Sequence, residues 1–219
     1  MSKLQSFIKE IRETCENHSF KFSIENTNSI YSDGVPCWGY VDTGDDRVLR
    51  VARGTNLVKE WVSILAHEYC HLKQYIERHP TLVLVDRGEG SNARFDKYLM
   101  RTKMDRPYTP FKKRRDVQKI VANELDCEKK TSRLIKRYKL PIDPVNYIQG
   151  ANAYLMSYYF SEKMRVWLSG RNSAWKNQII MDHMPTYYLK TEADYRRAYK
   201  NLHLIFLSQF SHIKKIKKV

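Results

Sequence analysis

The sequence predicts an α+β fold, mostly helical, with a small N-terminal β-sheet and a C-terminal helical part. Three observations carry that expectation. Apolar residues recur at helical spacing in several long segments, first between Leu4 and Cys15 and then repeatedly beyond Leu57. Between residues 19 and 52, short alternating runs are instead separated by turns rich in Asn, Gly and Asp. The 219 residues, 42% hydrophobic with fifteen tyrosines and four tryptophans, suffice for a packed core.

Taken in order, Leu4, Phe7, Ile8, Ile11 and Cys15 place a helix over about 4–17. Ser19 to Glu25 alternates as a strand, and 26–36 is a polar loop. Two further strands are expected near Trp38–Asp42 and Arg47–Ala52, joined by the turn-rich Thr43-Gly44-Asp45-Asp46. Asn56 or Thr55 then caps a helix whose apolar stripe is Leu57, Trp61, Ile64, Leu65, Leu72, Tyr75 and Ile76, and which ends at His79-Pro80. The connection over 86–113 reads as a long functional loop, a candidate lid. A helix over about 116–138 follows, then helices from Val145 to about Gly170, from Ala174 to His183 and from Glu192 to Phe210. The expected division is 1–140 as a core, 141–213 as a helical part closing a cleft, and 214–219 as a basic tail.

Chemistry concentrates in His67-Glu68-Tyr69-Cys70-His71. Histidines four residues apart on a helix differ by about 40° in azimuth, so both imidazoles enter one space. That is a two-point grip on Zn²⁺, with Glu68 beside it to take a proton from zinc-activated water. On the helix over 116–138, the inward phase of Val117, Ile120, Val121, Thr131, Leu134, Ile135 and Tyr138 also includes Glu124 and Glu128. Carboxylates in such places need a cation or strong donors. A zinc ion held by His67 and His71 would meet that need, and so would ion pairs with the many basic neighbours. His79 lies about 12 Å beyond His71 along the helix axis, too far to share an ion whose bonds are about 2 Å long. Cys70 has a poor angular offset for a third ligand, and Cys127 is a weak rival to Glu124.

The net charge of +15 is unevenly placed. Segment 94–139 holds sixteen Lys or Arg against six Asp or Glu, and 196–219 holds seven basic residues and no acidic one. Nucleic acid is the commonest partner of such segments, and a solvated basic surface is the competing explanation. The chain lacks an apolar run of membrane-spanning length and an N-terminal secretory segment, so a cytoplasmic protein without membrane contact is expected. Its four cysteines are then reduced thiols.

The pairing of His67-Glu68-x-x-His71 with Asn123-Glu124-x-x-x-Glu128 resembles the zincin metallopeptidases, specifically the gluzincin type with HExxH plus NExxxE. The resemblance covers roughly residues 56–138. Its His-Glu-Tyr-Cys-His form and the chain length are also similar to the small intracellular SprT-like and ImmA-like zincins. It implies a zincin-like fold and a metallopeptidase that hydrolyses a protein or peptide substrate. By that likeness His67, His71 and Glu124 bind zinc, Glu68 is the catalytic base, and Glu128 orients a zinc histidine. An oxyanion donor would come from downstream, where Tyr154, Tyr158, Tyr159 and His183 are the candidates, although tyrosines at helical spacing more often belong to a core. The alternatives are a basic nucleic-acid-associated protein whose metal site is structural or inactive, and an inactive scaffold used for binding.

Overall fold

The computed structural model describes residues 2–32, 34–55, 57–82, 90–104 and 107–213. Its elements are α1 (Lys3–Asn17), β1 (Lys21–Glu25), β2 (Ile30–Ser32), β3 (Val35–Cys37), β4 (Gly39–Asp42), β5 (Val48–Ala52), α2 (Val58–Ile76), α3 (Ser91–Leu99), α4 (Pro110–Tyr138), α5 (Pro144–Met164), α6 (Gln178–Asp182) and α7 (Glu192–Phe210). The fold is mostly helical with a small mixed sheet, in keeping with the α+β expectation. It forms two compact units. The first comprises Met1–His79 and Cys127–Pro144, the second Pro80–Asp126 and Val145–Val219. Residues 80–126 thus group with the C-terminal helices.

In the first unit, α1 starts at a capping box in which Ser2 and Gln5 satisfy each other's backbone N–H groups. It buries Phe7, Ile11 and Cys15. The sheet has the order β1-β5-β4, with β1 parallel and β4 antiparallel to β5. β5 is central, and burial of Val48, Leu49, Val51 and Ala52 on both faces explains its nearly unbroken apolar sequence. Gly44 N–H donates to Asp42 Oδ1 at 2.7 Å and tightens the β4–β5 turn. The expected loop over 26–36 instead contains the antiparallel pair β2–β3, whose three-residue strands are too short to show a period.

α2 packs on β4 and β5 through a buried face that includes Trp61, Val62, Leu65, Ala66, Tyr69 and Leu72. Its start corrects the expected cap. Leu57 occupies the N-cap position without a side-chain cap and is 60% exposed, so it leaves the apolar stripe. Thr55 turns away, its N–H and hydroxyl both donating to Asn28 Oδ1, and Asn56 lies outside the described residues. The helix ends at Ile76, three residues before His79, because Arg78 adopts the left-handed conformation at φ 49°. Tyr69 is tied down from two sides. Its hydroxyl donates to Glu10 Oε1 at 3.0 Å and lies 2.9 Å from the Thr14 hydroxyl, while Tyr138 donates to the other Glu10 oxygen. Burial, with Glu10 adding to it, holds the Tyr69 phenol far above its ordinary range, so it remains a neutral donor.

The second unit has its own core, in which Phe95 and Leu99 of α3, Val117, Ile120 and Val121 of α4, and residues of α5 to α7 share one apolar cluster. This corrects the reading of 86–113 as one long loop, since Ser91–Leu99 is a packed helix. Residues 83–89 and 105–106 lie outside the described residues. Arg94 donates to both carboxylate oxygens of Asp116 at 2.7 Å, and Ser91 adds a third bond at 3.0 Å. Asp116 is buried, so removing it strands a guanidinium beside an apolar cluster. Asp116→Ala is expected to cost about 3–5 kcal/mol, read by urea denaturation; a loss below about 1 kcal/mol would mean the pair is solvent-screened.

α5 stops at Met164 rather than near Gly170, and the expected helix over 174–183 is a 3₁₀ turn, Ala174–Lys176, followed by the short α6. α7 has the expected bounds, capped by Thr191 with Asp194. Buried Asn152 of α5 donates to the Pro185 and Tyr187 carbonyls and accepts from Tyr195, which anchors the segment leading into α7. No helix among the described residues is long and apolar enough to cross a membrane.

Candidate metal centre

His67 and His71 lie one turn apart on α2, and their Nε2 atoms face each other at 3.0 Å. The Nδ1 atoms turn outward to acceptors. His67 Nδ1 is 3.2 Å from Glu128 Oε1, and His71 Nδ1 is 2.9 Å from Gln74 Oε1. With those partners each ring carries its proton on Nδ1, and the tautomers are assigned on that basis. The two Nε2 atoms then meet in one space. Two ligands of a tetrahedral ion with bonds near 2.05 Å stand about 3.3 Å apart, close to the observed separation. Both rings are half-buried, which restricts competing water without closing the site.

Glu128 is buried on α4, and its Oε1 stands against the His67 ring at Nδ1. Gln74, 0% exposed, does the same for His71 and was missed in the sequence. Its signal was available: it follows His71 by three residues on the buried face, where an amide needs a partner.

Cys127 is also buried beside His67. Its thiol donates to the His67 carbonyl at 3.3 Å, and Sγ lies 3.7 Å from Nδ1. Donor atoms of His67, His71 and Cys127 all lie within 4.8 Å of one another, so this trio can hold a metal ion. The Sγ contact with the His67 ring is at its Nδ1 side. Cys70 lies beside Cys127, and the contact with the Cys127 side chain holds the Cys70 thiol below its ordinary range, against the upward push of burial. Glu124 is buried on α4 one turn before Glu128 and three residues before Cys127.

Glu68 is half-buried on α2, facing the strands. Gly39 opens β4 against it: a Cβ there would meet Ile64 Cγ2 at 2.6 Å and Glu68 Cγ at 3.0 Å. Only glycine permits that approach. The Cys37 thiol is raised by burial and then by the Glu68 charge, which places the end of β3 beside the same carboxylate. β4 has one paired edge, to β5, and one unpaired edge among the described residues. β5, by contrast, is paired on both sides.

The four oxyanion-donor candidates belong to the second unit. Tyr159 is buried and donates to the Glu192 carbonyl at 2.7 Å. The Tyr154 and Tyr158 hydroxyls lie 2.7 Å apart, and His183 is exposed with Nδ1 bonded to the Ile179 carbonyl. Comparison with protein-family models, curated proteins and solved structures finds no match to this chain.

Proposed function

We propose that this protein is a zinc-dependent metallopeptidase acting on an intracellular protein or peptide. The observation that carries the reading is the pair of Nε2 atoms meeting at 3.0 Å while both Nδ1 atoms face acceptors. Nitrogen atoms that close together on one helix face are spaced for two ligands of a single tetrahedral ion. His67 and His71 would hold the ion, with Glu124 as the proposed third ligand and Glu128 and Gln74 fixing the rings. When bound, zinc supplies Lewis acidity to water and to the scissile carbonyl. Glu68 accepts the proton of the attacking water and delivers it to the leaving amine. The free edge of β4 offers backbone donors and acceptors to an extended substrate, and Gly39 lets that strand run close to Glu68.

Metal analysis tests the reading. About one zinc per chain is expected, and purified protein without any would end it. A structural zinc with Cys127 among four protein ligands is the second reading, favoured by the donor trio. Cobalt substitution separates the two. With Glu124 as ligand, Glu124→Gln loses metal, Cys127→Ser keeps it, and the cobalt protein lacks a thiolate charge-transfer band. That band, together with metal loss in Cys127→Ser, would replace Glu124 by Cys127. The exposed Lys112, Arg114 and Arg115 support nucleic acid as a further partner. Its affinity would fall steeply with salt.

A further inference from the structure

The second unit contains an open cavity of about 490 Å³ that the metal chemistry does not use. Arg196, Lys200 and His203 enter it from one face of α7, at spacings of four and three residues. Lys163, at the end of α5, and Lys113, near the start of α4, add two more cations, against the single carboxylate of Glu162. Lys113 is partly engaged, its Nζ 3.2 Å from the Tyr98 hydroxyl and over that ring. Lys163, Arg196 and Lys200 form no ion pair among the described residues. Like charges gathered in a concave site repel one another unless an anion joins them.

A second observation points the same way. Tyr199 lines the cavity and is 6% exposed, yet its hydroxyl has no hydrogen-bond partner among the described residues. Buried hydroxyls without a partner are uncommon. The neighbouring Tyr159 shows the contrast, since its hydroxyl is satisfied by the Glu192 carbonyl. Burial and the Glu162 charge push the Tyr199 phenol far up, so it stays a neutral donor.

We propose that this cavity binds a small phosphorylated molecule. Lys163, Arg196 and Lys200 take its phosphate, Tyr199 donates to it, and Glu162 accepts from hydroxyl or amino groups on its body. The volume lies within the usual range for small-ligand sites. Two features favour a small ligand over a nucleic-acid strand. Glu162 sits among the cations and repels a continuous polyanion. The Tyr159 and Tyr199 rings are buried and offer no face on which bases could stack.

Isothermal titration calorimetry on the full chain tests this, with inorganic phosphate, adenosine 5′-monophosphate and a twelve-residue oligothymidylate as probes. Saturable binding of phosphate is expected, with the mononucleotide roughly tenfold tighter because it also engages Glu162. Arg196→Gln and Lys200→Gln should each weaken the mononucleotide about tenfold, and Tyr199→Phe a few-fold. Arg196→Lys should recover part of the loss, and Lys3→Gln, exposed and outside the cavity, should change nothing. Absence of saturable binding to either small probe would overturn the proposal. So would equal losses in Arg196→Gln and Lys3→Gln, or tight, salt-steep oligonucleotide binding insensitive to Tyr199→Phe, which would assign the charge to an extended polyanion surface. None of these readouts depends on the peptidase.

Discussion

Peptide hydrolysis by the Glu68→Gln variant is expected to fall by roughly a hundred- to ten-thousandfold, the usual contribution of a positioned general base. Glutamine keeps the size of the side chain and removes its capacity to accept and return the proton. Glu68 also lies outside the pair of facing Nε2 atoms, so the variant should keep about one zinc per chain. The measurement pairs metal analysis with turnover of a denatured protein or peptide substrate. Full activity with full metal would remove Glu68 from the mechanism. Loss of metal together with activity would instead make it part of the ion's coordination.

The second large effect is expected at Gly39→Ala. The new methyl would stand 2.6 Å from Ile64 Cγ2 and 3.0 Å from Glu68 Cγ. Ile64 is β-branched and has little freedom to move its Cγ2 on a helix, so the strand and helix must part. Overpacking of this kind costs about 1–3 kcal/mol, and displacement of Glu68 should lower hydrolysis by up to about a hundredfold. Thermal denaturation reads the first and assays well below the melting temperature read the second. Ile64→Ala in the same chain removes the closer atom and should restore part of both losses. A Gly39→Ala protein with unchanged stability and turnover would show that β4 does not crowd Glu68.

The helices were legible because their apolar residues repeat locally. α1 and α7 fall where the spacing places them. Of the inward set read for α4, Val117 to Ile135 are all buried, with Glu124 and Glu128 among them, while Tyr138 is half-buried. The shortest elements were not legible. β2 and β3 hold three residues each, too few to display alternation. α3 shows only Phe95 and Leu99 at helical spacing, with Arg94, Asp96 and Lys97 between or beside them, so its nine residues read as a polar connection. The start of α2 was misplaced for a different reason. Thr55 has the chemistry of a cap, but Asn28, twenty-seven residues earlier, claims it.

The same division runs through both candidate sites. The sequence by itself determined the pair of histidines, since residues four apart on one helix share a face whatever surrounds them. It also determined that Glu124 and Glu128 lie in an apolar phase of α4. Only the tertiary structure decided that Glu128 turns its carboxylate to His67 Nδ1, that Cys127 lies on that same side, and that Gly39 brings the edge strand against Glu68. In the second unit, the basic face of α7 follows from spacing. Its meeting with Lys113 and Lys163 in one cavity, around an unsatisfied Tyr199 hydroxyl, does not. Helical periodicity is a local property of the backbone and can be read from neighbouring residues. Contacts between residues dozens of positions apart depend on how whole elements pack, which no short window of sequence contains.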